Sequence, residues 1–245
     1  MLQKTLIHHL NTLLTPEKYK DYCPNGLQVE GNQHIHTIIT GVTACQQLIH
    51  AAIDRKADAI LVHHGYFWKS ESACVTKLKQ QRLKLLLTHN INLIAYHLPL
   101  DYHPDLGNNA QLAHQLGFQI TEQNDLIFMT ELDNPIQPDQ LASILDDKLQ
   151  RSPLHISAGS KSITKIAWCT GAAQNFIEKA FDMGADAYIS GEISESTVHI
   201  ARELGIHYFS AGHHATERYG IQALGEHLQE KFSLQHEFID IDNPV

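Results

Sequence analysis

Three short stretches of this sequence set imidazoles and carboxylates where a cation would use them. His63-His64 is followed by Gly65, His97 has Asp101 four residues on, and His213 has Glu217 four residues on. Imidazole and carboxylate donors without a thiolate suit Zn, Mn, Fe or Ni better than calcium or a cysteine-rich structural zinc. Taken together, His63, His64, Asp101, His213 and Glu217 are an inventory for one or two cations. Five donors exceed a closed tetrahedral zinc, but they fit two divalent ions with a bridging carboxylate and positions open to water. A lone histidine in such a place usually caps a strand or bonds a carbonyl. Two histidine pairs and an aspartate at three expected strand ends favour metal. His97 stands behind them as a donor that could orient Asp101 or a water and shuttle protons.

The elements that must position these residues repeat along the chain. Residues 38–65 and 166–192 align at an offset of 128: Gln46 meets Gln174, Ile49 meets Ile177, and Ala57-Asp58-Ala59 meets Ala185-Asp186-Ala187. Each copy reads as an apolar strand, a glycine-containing turn, a helix with i, i+3, i+4 spacing and a second apolar strand. That pattern is a βαβ unit with parallel strands and a right-handed crossover. Third strands are expected over 90–97 and 206–213, each ending on a histidine. The fold class is therefore α/β, two similar halves related by an internal βαβ repeat. The first domain is expected over 1–130, carrying His63, His64 and Asp101. The second is expected over 131–245, its C-terminal part returning His213 and Glu217 to a shared site. The boundary is placed at the polar stretch containing Pro135 and Pro138, and helices are expected over the leucine-spaced N-terminus and over 139–151.

In parallel α/β sheets, functional side chains gather past the carboxyl ends of strands. Ile60-Leu61-Val62 reads as a buried strand, and Gly65 would let the chain turn so that both imidazoles reach one rim. If a helix begins near His213, Glu217 shares its face. His214 reads as able to point into solvent. Glu192 takes the place of His64 in the repeat and reads as core-lining or as a partner of a ligand. His8-His9 falls in the N-terminal helix pattern, and Pro24-Asn25-Gly26 reads as a structural turn.

Composition bounds the rest. The chain has 245 residues, 43% of them hydrophobic and 18% charged, with a formal net charge of −9. That balance argues against a broad nucleic-acid surface. No stretch approaches the length of a membrane helix, and the N-terminus lacks a signal-peptide pattern, so a cytoplasmic location is expected. The four cysteines form no CxxC pair and read as reduced thiols. Neither a dinucleotide fingerprint, a Walker motif nor a nucleophile elbow is present. Lys69, Arg82 and Arg218 are the cations near the candidate site in sequence, available to phosphates if the substrate is a nucleotide.

Four motifs in order, His63-His64-Gly65-Tyr66-Phe67-Trp68, His97-Leu98-Pro99-Leu100-Asp101, Gly107-Asn108-Asn109-Ala110 and Gly212-His213-His214-Ala215-Thr216-Glu217-Arg218, resemble the GTP cyclohydrolase 1 type 2 homologue family, also called Nif-three-like. The resemblance extends over essentially the whole chain, including the run 24–31, and is nearest to short bacterial members of the YbgI type. It implies a two-domain α/β protomer in a toroidal hexamer, with two metal ions per subunit facing the inner cavity. It also implies His63, His64, Asp101, His213 and Glu217 as ligands, with Glu217 as the bridge. The activity it points to is metal-dependent hydrolysis of a nucleotide or related small molecule, at a cyclic amidine C–N bond such as that of purine C8. A different class remains open: a non-catalytic metal-binding, metal-handling or interaction protein.

Overall fold

A computed structural model describes the whole chain, Met1–Val245. Its elements are, in chain order, α1 (Gln3–Leu14), β1 (Gly26–Val29), β2 (Thr37–Thr43), α2 (Gln46–Asp54), β3 (Ala59–His64), α3 (Lys77–Thr88), β4 (Asn92–Ala95), α4 (Leu98–Tyr102), α5 (Asn108–Leu116), β5 (Glu122–Asn124), β6 (Ile127–Ile136), α6 (Pro138–Leu149), β7 (Leu154–Ile156), β8 (Ile163–Cys169), α7 (Ile177–Asp182), β9 (Ala187–Ser190), α8 (Glu195–Leu204), β10 (His207–Ser210), α9 (His213–Phe232) and β11 (Gln235–Phe238). They form two compact units, Met1–Gly107 with Gly220–Asp242, and Asn108–Tyr219 with Asn243–Val245.

The first unit is built on a five-stranded sheet of order β1-β4-β3-β2-β11. Strands β4, β3, β2 and β11 are parallel, and β1 runs antiparallel on the edge. Because strand side chains alternate, the apolar runs split between the two faces. Ile38, Val42, Ala59, Leu61 and Ile94 pack with Leu6, Leu10 and Leu14 of α1 and with Ile221, Leu224 and Leu228 of α9. Ile39, Ile60, Val62, Leu93 and Ala95 pack with Leu48, Ile49 and Ala52 of α2 and Leu83 and Leu86 of α3. Both faces are covered, which is why these strands read as continuous apolar runs. Each fully buried aliphatic side chain contributes about 1.5–3 kcal/mol.

The second unit repeats the plan on a six-stranded sheet of order β5-β6-β8-β9-β10-β7. Its parallel core β8-β9-β10 matches β2-β3-β4, and antiparallel β7 flanks β10 as β1 flanks β4. The register repeats as well. Ile38 pairs with Ala59 in the first sheet, and Ile166 with Ala187 in the second, each 128 residues further on. Asp58 accepts the backbone N–H groups of His36 and Thr37, and its counterpart Asp186 accepts those of Thr164 and Lys165. The α/β fold of two related halves expected from the repeat is thus what the chain forms.

The stretch around Pro135 and Pro138 proves to be ordered secondary structure. Position 130/131 lies inside β6, which pairs with β8 through Glu131–Lys165 and again at Ile136–Ile163, with an irregularity between. Pro135 falls in that irregular segment, where a missing N–H costs no ladder bond, and Pro138 opens α6. The compact units divide instead at Gly107/Asn108, and residues 220–242 rejoin the first unit, where β11 adds a parallel strand beside β2.

Candidate metal centre

In the first unit, His63 and His64 are the last two residues of β3. Neighbouring strand residues normally diverge, yet these rings lie 4.5 Å apart between centroids, tilted by 44°. Gly65 serves this turn by its lack of a side chain: a Cβ there would sit 2.2 Å from Gln28 Oε1 and 2.6 Å from Ala95 Cβ. The His63 ring is fully buried, and its Nδ1 lies 3.0 Å from the Tyr96 carbonyl oxygen. A carbonyl only accepts, so Nδ1 carries the proton and Nε2 keeps the lone pair that a cation can use. His64 Nδ1 is 3.1 Å from Thr43 Oγ1, across the β2–β3 pairing. Asp101, on the short α4, is buried and brings Oδ1 to 3.6 Å from His63 Nε2.

In the second unit, β10 ends at Ser210 and α9 begins on His213, so Glu217 lies one turn along the same face. His213 Nε2 is 3.0 Å from Glu217 Oε2, and His213 Nδ1 is 2.7 Å from Glu192 Oε1. Glu192 therefore holds the far nitrogen of the imidazole, as outer carboxylates do for metal-binding histidines. Burial by itself would make His213 harder to protonate, but Glu217 and Glu192 outweigh it and push its pKa up to about 9. A cation binding at Nε2 displaces that proton. Gly171 closes over the pair; a Cβ there would lie 2.0 Å from Glu217 Oε1 and 3.2 Å from His213 Nε2. His214, which could have pointed into solvent, is buried, and its backbone N–H donates to the carbonyl of Val245.

His97 is the N-cap of α4, and His63, His64 and His97 each bring a donor atom within 4.8 Å of the others. Its partner is one that spacing did not reveal: Asp21, whose Oδ1 is 2.7 Å from His97 Nδ1. Trp68 packs edge-on against His97 at 5.0 Å and donates its indole N–H to the Gly65 carbonyl. The three nearby cations have local partners. Lys69 donates to the Asp21 carbonyl, Arg82 lies over the Tyr66 ring, and Arg218 donates to the Leu149 carbonyl.

His63 and His64 in the first unit and His213 in the second are thus anchored through Nδ1, and a buried carboxylate lies beside Nε2 of His63 and of His213, donors that fit divalent cations. The Duf34/NIF3 (NGG1p interacting factor 3) family model matches residues 1–244. The chain belongs to the Duf34/NIF3 family. A GTP cyclohydrolase 1 type 2 homolog of Pseudomonas aeruginosa is 51% identical to it over 247 residues, covering 98% of both chains. Another from Vibrio cholerae is 53% identical over 243 residues, covering 96% of each. Among solved structures, one described as protein ybgI, of unknown function, superposes with a TM-score of 0.97 at 48% identity over the full length of both. Like these Duf34/NIF3 relatives in length, the chain has no helix long and apolar enough to cross a membrane.

Proposed function

We propose that this Duf34/NIF3 protein is a dinuclear metal-dependent hydrolase of a nucleotide or related small molecule. In this reading His63, His64, Asp101, His213 and Glu217 hold two divalent ions, with Glu217 as the bridge. The observation that carries it is the shared posture of the histidines: a fixed Nδ1 partner for His63, His64 and His213, and a carboxylate near Nε2 of His63 and His213. Histidines that merely cap strands need no such arrangement, whereas metal-binding imidazoles are oriented in this way through their other ring nitrogen. The bound ions would supply an acidified water and Lewis-acid polarisation of the substrate. His97 accepts the proton of the attacking water at Nε2 and returns it to the leaving nitrogen. Trp68, packed on His97, forms an apolar wall against which a planar base can lie.

The name carried by the relatives makes the purine of GTP the first substrate to test. One water would add at C8 and open the imidazole as a first C–N bond breaks, leaving a formamide; a second water would hydrolyse that formamide, so that C8 leaves as formate and the nitrogen as an amine. A cytoplasmic, ring-shaped hexamer is the assembly proposed with this activity. Protein loaded in turn with Zn, Mn, Fe and Ni is expected to release formate from GTP as purine absorbance is lost. No formate with any of the four metals would overturn the cyclohydrolase reading, and would favour metal handling without catalysis.

A further inference from the structure

Asp21 lies in the loop before β1, far from the ligand motifs in sequence, yet it is buried and fully engaged. Its Oδ1 accepts the Tyr22 N–H at 2.6 Å and faces His97 Nδ1 at 2.7 Å. Oδ2 accepts the Asn25 side-chain amide at 2.8 Å and the Leu98 N–H at 3.0 Å. Asn25 in turn accepts the His97 backbone N–H through Oδ1, at 2.8 Å. Asp21 therefore holds the ring of His97, while Asn25 of the Pro24-Asn25-Gly26 turn holds its backbone.

Cys23 also lies within 4.8 Å of Asp21 and His97, which makes the trio a conceivable cation site. Asp21 has both oxygens committed to donors, however, and burial pushes the Cys23 thiol up to about 12, away from the thiolate a metal needs. A holding role accounts for the geometry; a further metal site does not.

We infer that Asp21 is a positioning residue: it fixes the proton of His97 on Nδ1, so that Nε2 faces the His63–His64 rim bare and ready to take a proton from the attacking water. The inference rests on the hydrolase reading for the fate of that proton, but not for the tautomer. With three N–H donors already aimed at it, from Tyr22, Asn25 and Leu98, an ionised Asp21 has no proton to give, so the hydrogen shared with His97 belongs to the imidazole. Asp21→Asn offers its amide N–H₂ to His97 when its oxygen keeps Leu98 and Asn25, which drives the ring to the Nε2–H tautomer. That form cannot accept the water's proton.

The test is ¹⁵N-detected imidazole NMR on the full chain, metal-free and zinc-loaded, at about pH 8.5, where an ordinary histidine is neutral. The expected wild-type spectrum shows His97 protonated at Nδ1, and Asp21→Asn shifts it to Nε2–H. Metal content should be unchanged while kcat falls on the order of 100-fold at constant KM. A wild-type His97 protonated at Nε2, or a tautomer indifferent to Asp21→Asn, overturns the inference. The wild-type spectrum decides by itself if the variant fails to fold. Absence of turnover in the wild type would sink the hydrolase reading and leave the tautomer result standing.

Discussion

His63→Ala and Glu217→Ala are expected to lose metal by more than about 100-fold in affinity, since replacing even an outer partner of a ligand costs about 10–100-fold. Turnover should vanish with the metal. Glu217→Ala should be the more damaging, because in the proposed centre that carboxylate serves both ions and because it faces His213 Nε2 at 3.0 Å. His63→Ala removes a fully buried ring, so part of its effect will be on stability. Metal content by mass spectrometry of gel-filtered protein, read beside the melting temperature, separates the two. Full metal occupancy in either folded variant contradicts the ligand assignment.

Gly171→Ala is expected to be nearly as severe without touching a ligand. At φ +67°, a side chain costs roughly 1–2 kcal/mol of backbone strain, and the new Cβ would lie 2.0 Å from Glu217 Oε1. Glu217 must move and the metal goes with it. Gly184→Ala is the control: its φ is +85°, but a Cβ there meets nothing within 4 Å. Both variants should melt several degrees lower, whereas only Gly171→Ala should lose metal. Equal metal retention in the two would show that Gly171 matters only as a turn.

Much of this was legible in the sequence because the repeat preserves physical pattern. Strands covered on both faces leave apolar runs, and the 128-residue offset carried through to the strand register itself. The ligand candidates could be seen because they stand just past those runs, where an α/β sheet puts its functional groups. Asp21 could not be found in this way. It reaches His97 across 76 residues, from a loop whose Pro-Asn-Gly looks like any turn, and nothing in its spacing marks a partner. The role of Glu192 was half visible, as the repeat placed it opposite His64 but could not show which nitrogen of His213 it would hold. The unit boundary was obscured for a different reason: prolines usually mark linkers, but Pro135 occupies an irregularity in a paired strand. The return of 220–242 to the first unit depends on β11 pairing beside β2, a long-range choice that local pattern does not encode.

In the proposed centre, five side chains from the two repeats hold two cations. Anomalous diffraction at the absorption edge of the loaded metal, from crystals of the full chain, addresses this most directly. The predicted map shows two peaks per chain, coordinated among them by His63, His64, Asp101, His213 and Glu217. Absence of anomalous density at these side chains, or metal held by other residues, would contradict it.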